Sequence, residues 1–331
     1  MKKIILTLLV ASSLVINAQE KEDAGTFTLS GTVDVYGTTN FTKDAGTPGI
    51  LIAAPENANA FGLGFANTVF AYEKGKAGVV ADIAFGPRAD DANMAGAINQ
   101  LYAYYNVSDK LTLTAGQFNT FLGYEVINPS ANFNYTVSYL FNAGPFSHTG
   151  IKADYAVSDD LSFMLALTNA HGIASDDGNF TDDTQFGAQI GYKGQYLNFI
   201  TGAVSAGGAT DWMFLDYTGG FDLSDTFFLG INAAYADSSD EDAGYSGVAL
   251  YLQNTFSDKF ALGLRPELFT STTAGVDSSV TAFTLTSNMN LTSNLKLITD
   301  LRFDSSDDYI IEAFPAEKST STLTIAAVYS F

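Results

Sequence analysis

The chain has no cysteine, one tryptophan and two histidines in 331 residues, and beyond its first residues no long apolar run. Without thiols, neither disulfides nor thiolate metal sites hold the fold, which suits an oxidising envelope compartment. Without a long uncharged apolar segment, a bundle of membrane-spanning helices is disfavoured. Charge is scarce as well: 15% of residues are charged, where an ordinary soluble domain carries about 25%. The charge present is lopsided, with 36 acidic against 15 basic residues for a formal net of −21. That excess opposes nucleic acid, or any other polyanion, as a partner. Disorder is disfavoured in turn, because 47% of residues are apolar and 13% aromatic.

The opening residues read as an export address. Lys2-Lys3 form a positive n-region, Ile4 to Ile16 an apolar core, and Ile16-Asn17-Ala18 a small-residue cleavage site before Gln19. Residues 1–18 are therefore expected to be removed, leaving 19–331 as the mature chain. With no cysteine after the cleavage point, a lipid anchor is excluded.

Five related segments punctuate the remainder. They are Val107-Ser108-Asp109-Lys110-Leu111, Val157-Ser158-Asp159-Asp160-Leu161, Leu223-Ser224-Asp225-Thr226-Phe227, Phe256-Ser257-Asp258-Lys259-Phe260 and Leu291-Thr292-Ser293-Asn294-Leu295. Each sets small polar residues between apolar ends, the composition of a tight hairpin turn. Glu73-Lys74-Gly75-Lys76 and Lys193-Gly194-Gln195 supply two more turns. On either side apolar and polar residues alternate, as in Phe27, Leu29, Gly31, Val33 and Val35 against Thr28, Ser30, Thr32, Asp34 and Tyr36. Repeated hairpins of this kind mark an up-and-down β-barrel. Seven tight turns, each joining two strands, together with a first and a last strand make sixteen; fourteen or eighteen also fit the pattern. Short turns alternate with longer, acidic, Gly-rich loops throughout, as in outer-membrane barrels with tight periplasmic turns and longer external loops.

The expected fold is thus an all-β, transmembrane antiparallel barrel in which every backbone edge is paired by closure, because hydrocarbon offers no hydrogen-bond partner. The oily face then turns outward: Leu297, Leu301 and Phe303 towards lipid, Lys296, Asp300 and Arg302 towards the lumen. Leu262, Leu264 and Leu268 oppose Arg265 and Glu267 in the same way. Sixteen strands enclose more space than side chains fill, and a polar lining implies water inside. The last strand alternates through Leu323, Ile325, Ala327 and Tyr329 and ends in Phe331, which resembles the C-terminal signal read by the barrel-assembly machinery.

One stretch is more particular. Thr114-Ala115-Gly116-Gln117-Phe118-Asn119-Thr120-Phe121-Leu122-Gly123-Tyr124-Glu125 resembles the "G-K-F-x-T-x-x-G-Y-E" segment of the OmpL-like β-barrel porins. Asn132-Phe133-Asn134-Tyr135, Tyr139-Leu140-Phe141 and Pro145-Phe146-Ser147-His148-Thr149-Gly150 resemble its continuation, and Ser30 to Tyr36 and Gln100 to Tyr105 fit the same family. Gln117 stands where a Lys is common, and Thr136-Val137-Ser138 replaces a usual Ser-Arg-Ser. Each place lacks a basic residue, so no anion preference is carried over. The resemblance implies an outer-membrane barrel of a Gram-negative bacterium and a diffusion pore.

Candidate sites follow from alternation and loop length. Asp34, Asp82, Lys152, Asp154, Arg265, Glu267, Lys296, Asp300 and Arg302 point inward as pore-lining charges, or pair across strands and stiffen the wall. Five are acidic and four basic, so acidic loops tip the preference towards cations. The long connection from Asn119 to Phe146 either folds inward, placing Glu125, Asn132, Asn134 and Tyr135 at a constriction, or caps the rim. The acidic runs Asp90-Asp91, Asp176-Asp177, Asp182-Asp183, Asp237 to Asp242 and Asp307-Asp308 are solvated loop tips, or bind divalent cations that bridge to lipopolysaccharide. His148 and His171 make no catalytic set: adjacent Ser147 and His148 on a strand face opposite ways, and two distant histidines define no metal site. The expected function is passive diffusion of small hydrophilic solutes, without cofactor. A plugged barrel serving as a surface binding or adhesion platform is the rival. Lipid and lipopolysaccharide are the surroundings, and homo-oligomerisation is left open.

Overall fold

A computed structural model describes residues 24–41, 59–93, 95–170, 183–205, 208–306 and 318–331. The leader at 1–18, His171, Asp176-Asp177, Asp182 and Asp307-Asp308 lie outside these residues.

Among the described residues, sixteen strands and two short helices form. The chain opens with β1 (Thr26–Asn40), β2 (Asn59–Lys74), β3 (Ala77–Phe85), helix α1 (Pro87–Ala92), β4 (Ile98–Ser108) and β5 (Leu111–Asn119). Helix α2 (Tyr139–Ala143) precedes β6 (Ser147–Ala156), β7 (Leu161–Asn169), β8 (Thr184–Tyr192) and β9 (Gln195–Gly202). Then come β10 (Met213–Asp222), β11 (Phe227–Ser238), β12 (Ala243–Ser257) and β13 (Phe260–Thr273). The last three are β14 (Val276–Asn290), β15 (Leu295–Ser306) and β16 (Ser319–Ser330). Every strand pairs antiparallel with its chain neighbours, and β1 pairs with β16 to close the barrel.

The recurring Ser-Asp segments have a common mechanism. In each, a hydroxyl oxygen accepts backbone N–H groups two or three residues on: Ser158 Oγ from Asp160 and Leu161, Ser224 Oγ from Thr226 and Phe227, Thr292 Oγ1 from Asn294 and Leu295. Ser108 and Ser257 accept from Lys110 and Lys259. The side chain thus replaces the ladder partner that the reversing backbone loses. Neighbouring turns are laced together, Lys76 Nζ donating to Val107 O and Lys110 Nζ to Val157 O.

At the opposite end, strict alternation of short and long connections does not hold. β11 and β12 are joined by only 239–242, and β13 and β14 by two residues, Ala274 and Gly275. Both of these adopt left-handed backbone, φ 50° and 73°, a pairing whose twist matches that of the flanking strands. The Ala-Gly pair lacks the Asn or Asp that signals such a turn from sequence.

Side-chain orientation decides the solvent. On β13, Leu268 is 57% exposed while its neighbours Glu267 and Arg265 are 2% and 1% exposed. On β16, Ile325 and Tyr329 face outward while Thr322, Thr324, Ala326 and Val328 are buried. Apolar side chains therefore form a belt around the outside, too extensive for a surface in water. Pro266 sits on β13 where pairing with β12 lapses across Arg265 and Pro266, because proline has no N–H to donate there.

Candidate functional site: an inward loop seated on the wall

Residues 120–146, between β5 and β6, begin and end at the rim, where Thr120 N donates to Phe146 O at 3.0 Å. From there the loop runs down inside the barrel. Ser130 and Phe133 mark its depth: Lys296 Nζ donates to Ser130 O at 2.9 Å and Asn288 Nδ2 to Phe133 O at 2.7 Å. Lys296 is the second residue of β15 and Asn288 the third from the end of β14, so the loop nearly reaches the barrel's turn end. The loop lies within the barrel rather than as a cap over the rim.

Wall carboxylates meet the loop's polar hydrogens. Asp34 Oδ1 on β1 accepts from Tyr135 Oη at 2.6 Å. Asp300 Oδ2 on β15 accepts from Thr136 N at 2.7 Å and its Oγ1 at 2.8 Å. Glu267 on β13 accepts from Leu140 N at 2.9 Å, and Asp216 on β10 from Gly123 N at 2.9 Å. Each bond satisfies a backbone or hydroxyl group that the irregular loop could not pair by itself.

Arginines meet the loop's carbonyls. The chain has only three, Arg88, Arg265 and Arg302, and all are buried. They donate to three consecutive loop residues: Arg88 Nη2 to Tyr135 O at 2.8 Å, Arg265 Nη1 to Thr136 O at 2.6 Å, and Arg302 Nη1 to Val137 O at 2.8 Å. Arg265 also pairs with Glu125 of the loop at 2.5 Å, while Glu125 Oε2 accepts from Ser138 N and Oγ at 2.7 and 2.6 Å. Arg302 pairs with Asp304 at 2.9 Å and lies 5.0 Å from the Tyr139 ring centroid, and Arg88 covers the Tyr135 ring at 4.8 Å.

Packing repeats the pattern. Val137 joins Phe65, Ala84, Ala89, Ile127 and Phe141, and Leu140 joins Ala249, Tyr251 and Phe269. Inward-facing glycines leave notches that loop rings enter. A Cβ at Gly187 would stand 2.5 Å from the Phe121 ring, and one at Gly230 would stand 2.6 Å from Tyr124 Oη. Gly263 receives the Phe133 ring in the same manner.

The remaining residues expected at the site fall into separate groups. Asn132 braces the loop internally, accepting from Val126 N at 3.0 Å and donating to Val126 O at 2.6 Å. Asn134 Nδ2 donates to Thr286 Oγ1 at 2.5 Å. Asp82 accepts from Asn67 and Asn99 at 2.8 and 2.6 Å, and Asn67 in turn accepts from Thr32 N, whose hydroxyl meets loop residues Asn128 and Ser130. Lys152 and Asp154 pair with each other on β6 at 2.8 Å and keep 25% and 41% of their side chains exposed. His148 Nε2 lies 2.9 Å from Thr120 Oγ1, its ring stacked on Phe121 at 5.0 Å, a positioning contact at the loop's root.

Two charged anchors escaped the sequence reading. Asp216 shares the inward face of β10 with Phe214 and Thr218, all three buried, so alternation marks it as inward-facing but not as an anchor. Arg88 stands in α1, outside any strand pattern, and only the rarity of arginine could have pointed to it.

At the rim, Asp211 ties the 203–212 connection to the β11–β12 turn. Its carboxylate accepts from Ser238 Oγ at 2.6 Å, Ser239 Oγ at 2.7 Å, Ser239 N at 2.8 Å and Asp240 N at 3.1 Å. The Ser238 and Ser239 hydroxyls, opposed by slight burial and aided by the two backbone N–H groups, lower its pKa from 3.8 to about 2. A depressed carboxylate stabilises above its ordinary value and loses that contribution as pH falls through the folded value. The tie is therefore expected to hold until pH falls towards about 2, read as the carboxyl chemical-shift midpoint of Asp211. A midpoint at 3.8 would mean that the tie is absent in solution.

The closed ring and its inward loop define the class: an outer-membrane β-barrel porin. The family described as "Putative beta-barrel porin-2, OmpL-like" matches residues 26–331, and the chain belongs to it. No curated protein matches in sequence. Among solved structures, the outer membrane channel DcaP of Acinetobacter baumannii is similar at TM-score 0.64 and 12% identity, covering 95% of this chain and 99% of that one. An anion-selective porin from Comamonas acidovorans reaches TM-score 0.67 at 12% identity, over 93% and 100% of the two chains. OmpT of Vibrio cholerae, in trimer form, reaches 0.54 at 12% identity, over 93% and 100%. At such identities the likeness is one of fold.

Proposed function

We propose that this barrel lets small hydrophilic solutes diffuse passively across the outer membrane, past a constriction formed by residues 120–146, with a weak preference for cations. The carrying observation is the seating of that loop: wall carboxylates and arginines hold a fixed, polar-bonded partition inside a ring too wide to be closed by side chains alone. Preference for cations rests on the loop end, taken as external. Asp90, Asp91, Asp183, Asp211, Asp237, Asp240, Glu241, Asp242 and Asp277 gather there, against Lys318 as the unburied basic residue among those described. A mouth of one sign concentrates counter-ions. The chain is expected to be exported through residues 1–18 and recognised for assembly at Phe331, with homo-oligomers in lipopolysaccharide-containing membrane.

Depth of burial favours the rival reading, a plugged platform, since Thr136, Val137 and Ser138 are wholly buried. Planar-bilayer recording separates the two. Discrete conductance steps, with a cation-selective reversal potential across a salt gradient, are the expected result. Silence would favour the plug, and a clear anion preference would overturn the selectivity.

A further inference from the structure

Most inward charges of this barrel are not available to a passing solute. Arg265, Arg302, Asp300 and Glu267 are buried beneath the loop, their hydrogen bonds turned to its backbone. The loop's anchors follow an arc of the ring from Asp216 on β10, through Glu267 and Arg265, Thr286 and Asn288, and Asp300, Arg302 and Lys296, to Thr32 and Asp34 on β1 and Arg88 in α1, an arc centred near β14. In a ring of sixteen strands, β14 stands eight places from β6, directly across the lumen. A loop held along that arc leaves its free space at the wall across from the arc's centre. The charges on that other wall are Lys152 and Asp154, the pair that keeps a quarter or more of each side chain exposed.

Their height is also informative. Lys152 lies midway along β6, between Thr114 of β5 and Ala166 of β7 in register. Its ammonium sits 5.6 Å from the Phe118 ring centroid, and Phe118 neighbours His148, on which the loop's Phe121 stacks. Lys152 thus stands just below the root of the loop, and Asp154 two residues further towards the turn end. A solute rounding the loop meets the ammonium and the carboxylate in succession.

We propose that the permeation path is off-centre, running between the loop and the β6 wall, and that Lys152 and Asp154 are its charge-selecting residues. This rests on the pore reading above. Because the two charges cancel as a pair, neither shows its sign in the native chain, and the acidic mouth sets the net preference. Removing one member uncovers the other.

The test uses the full-length barrel in planar bilayers under a salt gradient, with potassium chloride as the probe. Lys152→Gln leaves the carboxylate alone and should raise the cation-to-anion permeability ratio. Asp154→Asn should lower it, and each shift should be roughly threefold, the effect of one unit charge several ångströms from an ion in a water-like dielectric. The double variant should return close to the native ratio. Since the chain has no cysteine, Lys152→Cys gives a clean second readout. A small charged thiol reagent should label it and cut the conductance. Steps of normal size with unchanged reversal potentials in both single variants would overturn the inference while leaving the pore standing. Native protein without steps would remove both.

Discussion

Deleting Asn128 to Tyr139 should raise single-channel conductance several-fold. That segment carries the loop's deepest contacts: Ser130 with Lys296, Phe133 with Asn288, Tyr135 with Asp34 and Thr136 with Asp300. It also carries the three carbonyls held by the arginines. Its removal empties the arc beside β13 to β15 and exposes Arg265, Arg302 and Asp300 to water. Ionic current scales with the open cross-section, and a ring of sixteen strands is wide enough for an aqueous channel once cleared. The barrel should survive, because its hydrogen-bonded ladder closes between β1 and β16 without using the loop. Heat-modifiable migration on a denaturing gel would verify that. Unchanged conductance in a correctly folded deletion would mean that the loop does not obstruct the path.

Replacing Arg265 by Leu should unseat the loop. The guanidinium pairs with Glu125 at 2.5 Å and donates to Thr136 O at 2.6 Å, Val137 O at 3.0 Å and Thr284 Oγ1 at 3.2 Å. Both charged partners are almost fully buried. Removing one member of such a pair typically costs about 3–5 kcal/mol, because the other charge is left without compensation. Here the loss falls on the loop and not on the strands. Expected readouts are proteolytic cleavage between Phe121 and Phe146, and conductance that flickers between native and larger values. Replacing Glu125 by Leu as well removes the stranded charge and should restore much of the seating, since an apolar pair of similar volume often substitutes for a buried ion pair. If the single and double variants behave alike, the pair is not what holds the loop.

Much of this architecture is legible in the amino-acid sequence itself. Hydroxyl turns at Ser108, Ser158, Ser224, Ser257 and Thr292 supplied five of the seven turns behind the strand count, because a Ser or Thr capping its own turn is a local event. Alternation placed Leu268 outside and Arg265 inside, because the two-residue repeat of a strand is also local. The turn at Ala274-Gly275 was missed for want of a side chain that announces it. The anchors were missed for another reason. Arg88 bonds Tyr135 across 47 residues of chain, and Asp216 bonds Gly123 across 93. No spacing rule links positions so distant, and inverting an inward charge from pore lining to loop anchor requires knowing what lies against it.

The chain alone determined a closed, lipid-facing barrel, since repeated hairpins and oily-out alternation leave hydrocarbon-exposed backbone no other way to satisfy its hydrogen bonds. Tertiary structure alone decided how the interior is shared. Contacts between residues 120–146 and the far wall turned Arg265, Arg302, Asp300 and Glu267 into supports, and left Lys152 and Asp154 across the ring with exposed charge. Burial is a property of neighbours in space, and a residue's own sequence does not contain it.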